Sequence, residues 1–247
     1  MKKLFASLVS VVMMLSFSSV GFASEAPTSL SADTKSEIKL HLTKDLGVSE
    51  IIANSLIEKI ESGELPDSDN PEKAGTGVTS TSTESDKTVA RTVFPDGSVI
   101  ISTVDTTNAT VEVVEPKENN IEPGGMTTMG SPTGGWTESG SGYKKFYNTT
   151  VYEESTLVQA RFQADYVLVN GSYDYISRVS DGFAKGIGGY CTGQNLFIIG
   201  TGYQTYDSPA RATLAFTYVG INGTWSTDFK LQLYVMNDSA TSQLDTF

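Results

Sequence analysis

The chain has 247 residues, with 29 acidic, 17 basic and a single histidine, for a formal net charge of −12. That excess of negative charge repels nucleic acid and anionic membranes, and no basic stripe offsets it, so a nucleic-acid partner is excluded. One cysteine, Cys191, excludes an internal disulfide, and one histidine with one cysteine is too small a set for a Cys/His zinc site.

Lys2 and Lys3 precede an apolar run from Leu4 to Phe17, and Gly21-Phe22-Ala23 offers small residues at the recognition positions for cleavage. Residues 1–23 therefore read as a secretory signal peptide. The run is too short for a comfortable membrane span, and no later stretch is long enough. Cys191 is far from the cleavage site, so lipid attachment there is excluded. The expectation is a secreted, extracellular protein with no stable membrane anchor. Acidity concentrates early: residues 24–135 carry 19 acids and 8 bases, against 10 and 7 in residues 136–247.

Residues 24–65 read as a helical hairpin. Asp33 is placed to cap a first helix carrying Ile38, Leu42 and Leu46 on one face, and Gly47 breaks it. Ser49 caps a second, with Ile52, Leu56 and Ile60 on one face and Ala53 and Ile57 beside them. Gly63 stops it, with Pro66 beyond. Residues 66–87 are polar and read as a linker. A short β meander follows over 88–115, with strands Thr88–Phe94, Ser98–Val104 and Ala109–Glu115 and a turn at Pro95-Asp96-Gly97. Residues 116–135 read as a Gly/Pro-rich linker.

All eleven tyrosines and both tryptophans lie after residue 135, and Phe94 is the one aromatic in 24–135. Aromatic residues dominate cores, so the packed domain is expected over 136–247. Val158, Ala160, Phe162, Ala164, Tyr166 and Leu168 alternate with polar residues, which marks a half-buried strand. Asn170-Gly171 suits a type I′ turn. That turn would set Tyr166 opposite Tyr175, Ala164 opposite Ser177 and Phe162 opposite Val179. A second hairpin about Asn222-Gly223 would set Phe216 opposite Phe229, Leu214 opposite Leu231 and Ala212 opposite Leu233. Further strands are expected at Lys145–Tyr152 and at Leu196–Tyr203, the latter central because Leu196–Ile199 is continuously apolar. The fold class is mainly β: an antiparallel β-sandwich or barrel, preceded by a small helical hairpin and a short meander.

No catalytic motif stands out. His41 reads as a helix-surface histidine and Cys191 as a small buried thiol, since a Cys–His pair or a Ser–His–Asp triad would require the two halves to dock around that lone histidine. Asp67, Asp69, Asn70 and Glu72 fail the EF-hand pattern, because Pro71 and Glu72 fall at positions five and six. They read as a solvated acidic linker, with an irregular calcium site as the alternative. Gly186, Gly188, Gly189 and Gly193 lack the spacing of a phosphate or dinucleotide loop and read as a loop or bulged edge. Glu153 and Glu154 would face opposite ways on a strand. No cofactor, metal or catalytic residue is assigned.

The stretch GVSEIIANSLIEKIESGELPDSDNPEK, followed by RTVFPDGSVIIS, resembles a group of uncharacterised exported proteins of Gram-positive bacteria. The resemblance rests on Gly63-Glu64, Asp67-Ser68, Asn70 to Lys73 and Pro95 to Ser98. It implies export and a helical segment before a β-rich half, and it carries no activity or site residues.

The leading functional expectation is a secreted, non-catalytic binding or surface-interaction protein. Its partner would be a cell-wall polymer, a glycan or another extracellular protein. Of the aromatics near loops and strand ends (Trp136, Tyr143, Tyr147, Tyr190, Tyr203, Tyr206 and Trp225), the chosen anchors are Trp136, Tyr206 and Trp225. The alternatives are a secreted toxin or bacteriocin-like membrane-active β protein and a carboxylate-dependent glycan hydrolase.

Overall fold

A computed structural model describes residues 29–115, 142–220, 223 and 225–247. The expected signal peptide, the linker at 116–135, Trp136 and Asn222 lie outside the described residues. Two helices open the described chain, α1 (Ala32–Leu40) and α2 (Glu50–Glu61). Eleven strands follow: β1 (Val78–Glu84), β2 (Lys87–Val93), β3 (Val99–Asp105), β4 (Thr110–Val114), β5 (Tyr143–Glu154) and β6 (Val158–Val169), then β7 (Tyr175–Gly186), β8 (Tyr190–Ile198), β9 (Ala210–Val219), β10 (Ser226–Met236) and β11 (Ser239–Thr246).

The strands form two antiparallel sheets. One has seven strands in the order β1-β2-β3-β5-β6-β7, with β4 sharing an edge of β5 with β3; the other has four, in the order β11-β10-β9-β8. The ladders do not close, so the fold is a sandwich rather than a barrel. The two sheets meet at a corner, where the Gln194 amide on β8 accepts from Ala184 N at 2.9 Å and donates to Ala184 O at 3.0 Å. A side-chain amide there substitutes for a backbone ladder and satisfies an edge that would otherwise lie open.

The second hairpin has the register read from the sequence: Phe216↔Phe229, Leu214↔Leu231 and Ala212↔Leu233. The first does not. Tyr166 faces Ile176 and Ala164 faces Val179, and bulges at Arg161/Gln163 and Asp165/Tyr166 advance the register further. Ser172 N does donate to Val169 O, but only Gly171 of the central pair has positive φ, so the turn is not type I′. Asp174 then takes the Val169 N–H with its carboxylate at 2.8 Å, and pairing resumes one residue late, at Tyr175. Tyr173 is consequently exposed and Ile176 is the buried residue.

Two further expectations change. Leu196–Ile199 is not central: β8 ends at Ile198 and forms the edge of the smaller sheet, with Phe197 exposed. The cap of α1 is Ser31, whose hydroxyl accepts from Thr34 N, while Asp33 sits in the first turn. The meander strands fall within a residue of expectation at each end, and Ser49 caps α2 as read. Within 66–87, Asp67–Asp69 forms a buried turn and Val78–Glu84 is an exposed edge strand.

Ile38, Leu42, Leu46, Ala53, Leu56 and Ile60 belong to the same hydrophobic cluster as Val151, Phe162, Leu214 and Leu233 of the sheets. The helices close the end of the sandwich that carries the 94–98, 155–157 and 187–189 connections together with Gly220 and Gly223. A Cβ on Gly188 would lie 2.9 Å from Ile38 Cδ1, and one on Gly97 would lie 2.6 Å from Ile52 Cγ2. Lys59 clasps the same end by donating to Asp67 (2.8 Å) and Asp96 (2.9 Å). The Gly-rich connection is a close approach: a Cβ on Gly189 would collide with Val219 O.

Candidate functional site

The end opposite the helices is built from the β6–β7, β8–β9 and β10–β11 connections. Asp174 organises all three. It is fully buried, its backbone N donates to Gln204 Oε1 at 3.1 Å, and its carbonyl accepts from Gln204 N at 2.8 Å. Its carboxylate accepts from Val169 N and, at 2.9 Å, from Asp238 N in the Asn237-Asp238 turn. Both turn residues have positive φ, as a two-residue turn from β10 to β11 requires. Burial pushes the Asp174 carboxyl above its ordinary range, against the pull of those two N–H donors.

This scaffold carries tyrosines. Tyr173 and Tyr203 directly precede the paired Asp174 and Gln204, and both are exposed. Tyr175 and Tyr203 form a β-bridge and stack at 4.8 Å between ring centroids. Tyr206, two residues beyond Gln204, is 84% exposed. The loops are therefore fixed by buried hydrogen bonds while their rings stay accessible, an arrangement that limits the ordering cost of binding.

The expected anchors do not assemble. Tyr206 stands at this end. Trp225 sits at the helix-capped end, half-buried against Tyr218 (5.3 Å between centroids), with Gly220 beneath its ring. Tyr173 was missed because the type I′ register turned it inward. The signal was present in two short polar-aromatic loops, Gly171-Ser172-Tyr173-Asp174 and Gly202-Tyr203-Gln204-Thr205-Tyr206-Asp207, the composition of connections that carry binding residues.

The helix-capped end holds the titratable cluster. His41 is not on the surface: its side chain is 3% exposed. Nε2 lies 2.8 Å from Ser155 O, and Nδ1 lies 3.0 Å from Asp45 Oδ2 and 3.8 Å from Glu154 Oε2. Asp69, read as part of a solvated linker, is fully buried beneath it and accepts from the hydroxyls of Ser155 and of Ser68 (2.6 Å). Burial raises its carboxyl to about 6, against the lowering effect of those hydroxyls and of His41. Glu153 and Glu154 do face opposite ways. Glu153 is buried between the sheets and held well above the ordinary carboxylate range by burial, while Glu154 faces outward toward His41. Cys191 is half-buried and its thiol is pushed up to about 12 by burial, which makes it a poor nucleophile.

Compared with known proteins, the chain matches no family model, no curated protein and no solved structure.

Proposed function

We propose that this chain is an exported, non-catalytic binding protein whose ligand-facing surface is the tyrosine end, and that its ligand is a carbohydrate polymer of the cell surface. One observation carries the reading: Tyr173, Tyr203 and Tyr206 are exposed on two loops that the Asp174–Gln204 pair locks together. A tyrosine ring offers a flat apolar face with a hydroxyl at its edge, which suits the mixed apolar and hydroxyl surface of a sugar. Export is supported by the basic and apolar leader pattern of residues 1–23.

The test is co-sedimentation of the protein with isolated cell-wall sacculi and insoluble polysaccharides. Wild type is expected to pellet saturably, and Tyr203→Ala with Tyr206→Ala to lose at least tenfold in affinity while unfolding normally. Wild type that stays in the supernatant across the panel, or a double variant that pellets unchanged, sinks the proposal. In a Trp136→Phe background Trp225 is the one tryptophan left, and because it stands at the other end its fluorescence should stay constant.

A further inference from the structure

A different observation, at the opposite end of the molecule, concerns His41, Asp45 and Glu154. After α1 the helix widens into a π turn over His41–Asp45, with Leu46 N donating to His41 O at 3.1 Å. Such turns cost regular hydrogen bonding and recur at functional sites. This one sets His41 and Asp45 side by side and directs both at the end of β5. One potential ligand atom from each of His41, Asp45 and Glu154 lies within 4.8 Å of the others.

The histidine's hydrogen bonds limit what occupies the space between them. Ser155 O can only accept, so Nε2 carries a hydrogen. In the neutral ring that leaves the Nδ1 lone pair pointed at two carboxylates, at 3.0 and 3.8 Å. Lone pair against carboxylate is repulsive, so a positive species belongs there: a proton or a metal ion. A metal-binding histidine commonly donates its other N–H to a backbone carbonyl, which is the arrangement seen. Glu154 is itself oriented by Gln159 Nε2 at 3.2 Å and by a hydrogen bond with the Tyr152 hydroxyl.

We infer that His41 Nδ1, Asp45 and Glu154 form a binding site for one divalent transition-metal ion of the Zn2+ class. An imidazole with two carboxylates suits zinc, manganese or cobalt better than calcium or magnesium, which prefer all-oxygen sets, or copper(I), which prefers sulfur. Two carboxylates neutralise the ion. Tetrahedral ligand atoms stand about 3.4 Å apart when metal–ligand bonds are about 2.1 Å. The two separations from His41 Nδ1, 3.0 Å to Asp45 and 3.8 Å to Glu154, bracket that spacing, and Asp45, with its side chain 48% exposed, has room to adjust. Its exposed side leaves a fourth position for water. The ion would clamp the π turn to the start of the β5–β6 turn, joining the helical cap to the sandwich.

The sole histidine of the chain makes the test clean in tag-free protein. Chelator-treated protein is loaded with Zn2+ or Co2+ and assayed for metal per chain, the Co2+ absorption bands and the shift of the His41 imidazole resonances. One equivalent is expected, with a thermal midpoint raised by several degrees. Asp45→Asn and Glu154→Gln should each weaken binding at least tenfold; Asp45 is at the surface, so its variant should fold even where a His41 variant does not. Absence of saturable binding in wild type, binding that leaves the imidazole resonances unmoved, or undiminished binding by Asp45→Asn overturns the inference and leaves a proton in the site.

Discussion

The two ends of the sandwich solve opposite problems. The helix-capped end buries charge and apolar surface together: Leu42 and Leu46 are fully enclosed, Asp69 is fully buried, and Lys59 is held between two aspartates. The tyrosine end uses one buried carboxyl, Asp174, to hold three connections and leaves its rings outside. The difference teaches how burial of polar groups and exposure of aromatic rings are divided between the two ends. Polar groups such as the buried Asp69 and the partly buried Lys59 hold the first end together, whereas at the second a small polar hub leaves Tyr173, Tyr203 and Tyr206 exposed.

Substitutions can break that comparison in descending order of effect. Leu42→Ala at the capped end should lose about 3–5 kcal/mol, because a fully buried leucine leaves a cavity that the docked helices cannot collapse. Denaturant titration measures it, and a loss under about 1 kcal/mol would mean that the helices are not part of the cooperative unit.

Asp69 gives the second largest effect. Its folded pKa, raised to about 6, exceeds the unfolded value, so the folded state binds more protons between roughly pH 4 and 6. Stability from this group is therefore present at low pH and lost as pH rises through that window, by about 3 kcal/mol in total. Asp69→Asn should flatten this slope in unfolding midpoints measured from pH 4 to 8; a slope unchanged by the substitution would assign it to another group.

Asp174→Ala removes the acceptor of two part-buried N–H groups, on Val169 and Asp238, and should cost about 1–2 kcal/mol while loosening the tyrosine loops. Hydrogen exchange should accelerate at 169–175 and 202–206 and stay unchanged in α2. The smallest effect belongs to Tyr206→Ala, an exposed side chain whose removal should change stability by less than about 0.5 kcal/mol. Its binding loss should nevertheless be the clearest of the four, and a variant that both binds and folds like wild type would move the ligand surface elsewhere.

Much of the fold was legible because alternation is a local property. The Phe216/Phe229 register and the meander strands follow from side-chain period and turn residues read over a few positions. The first hairpin was misread although it has the same local signals, because Asp174 intercepts the Val169 N–H, and that depends on contacts to Gln204 and Asp238 far along the chain. β11 went unread, since Ser239–Thr246 buries little besides Leu244 and owes its place to pairing with β10.

The candidate sites divide the same way. By sequence alone the chain set its two hairpin-forming regions, its helical pair with the Ser49 cap and Gly63 stop, and its lone histidine and cysteine. Only tertiary structure decided that Trp225 and Tyr206 stand at opposite ends, that Tyr173 points outward, and that His41 is buried against Ser155 and Glu154. The physical reason is range. Periodicity and capping act within a few residues, whereas exposure and the meeting of titratable groups depend on how the helices dock on the sandwich, 114 residues apart in the case of His41 and Ser155.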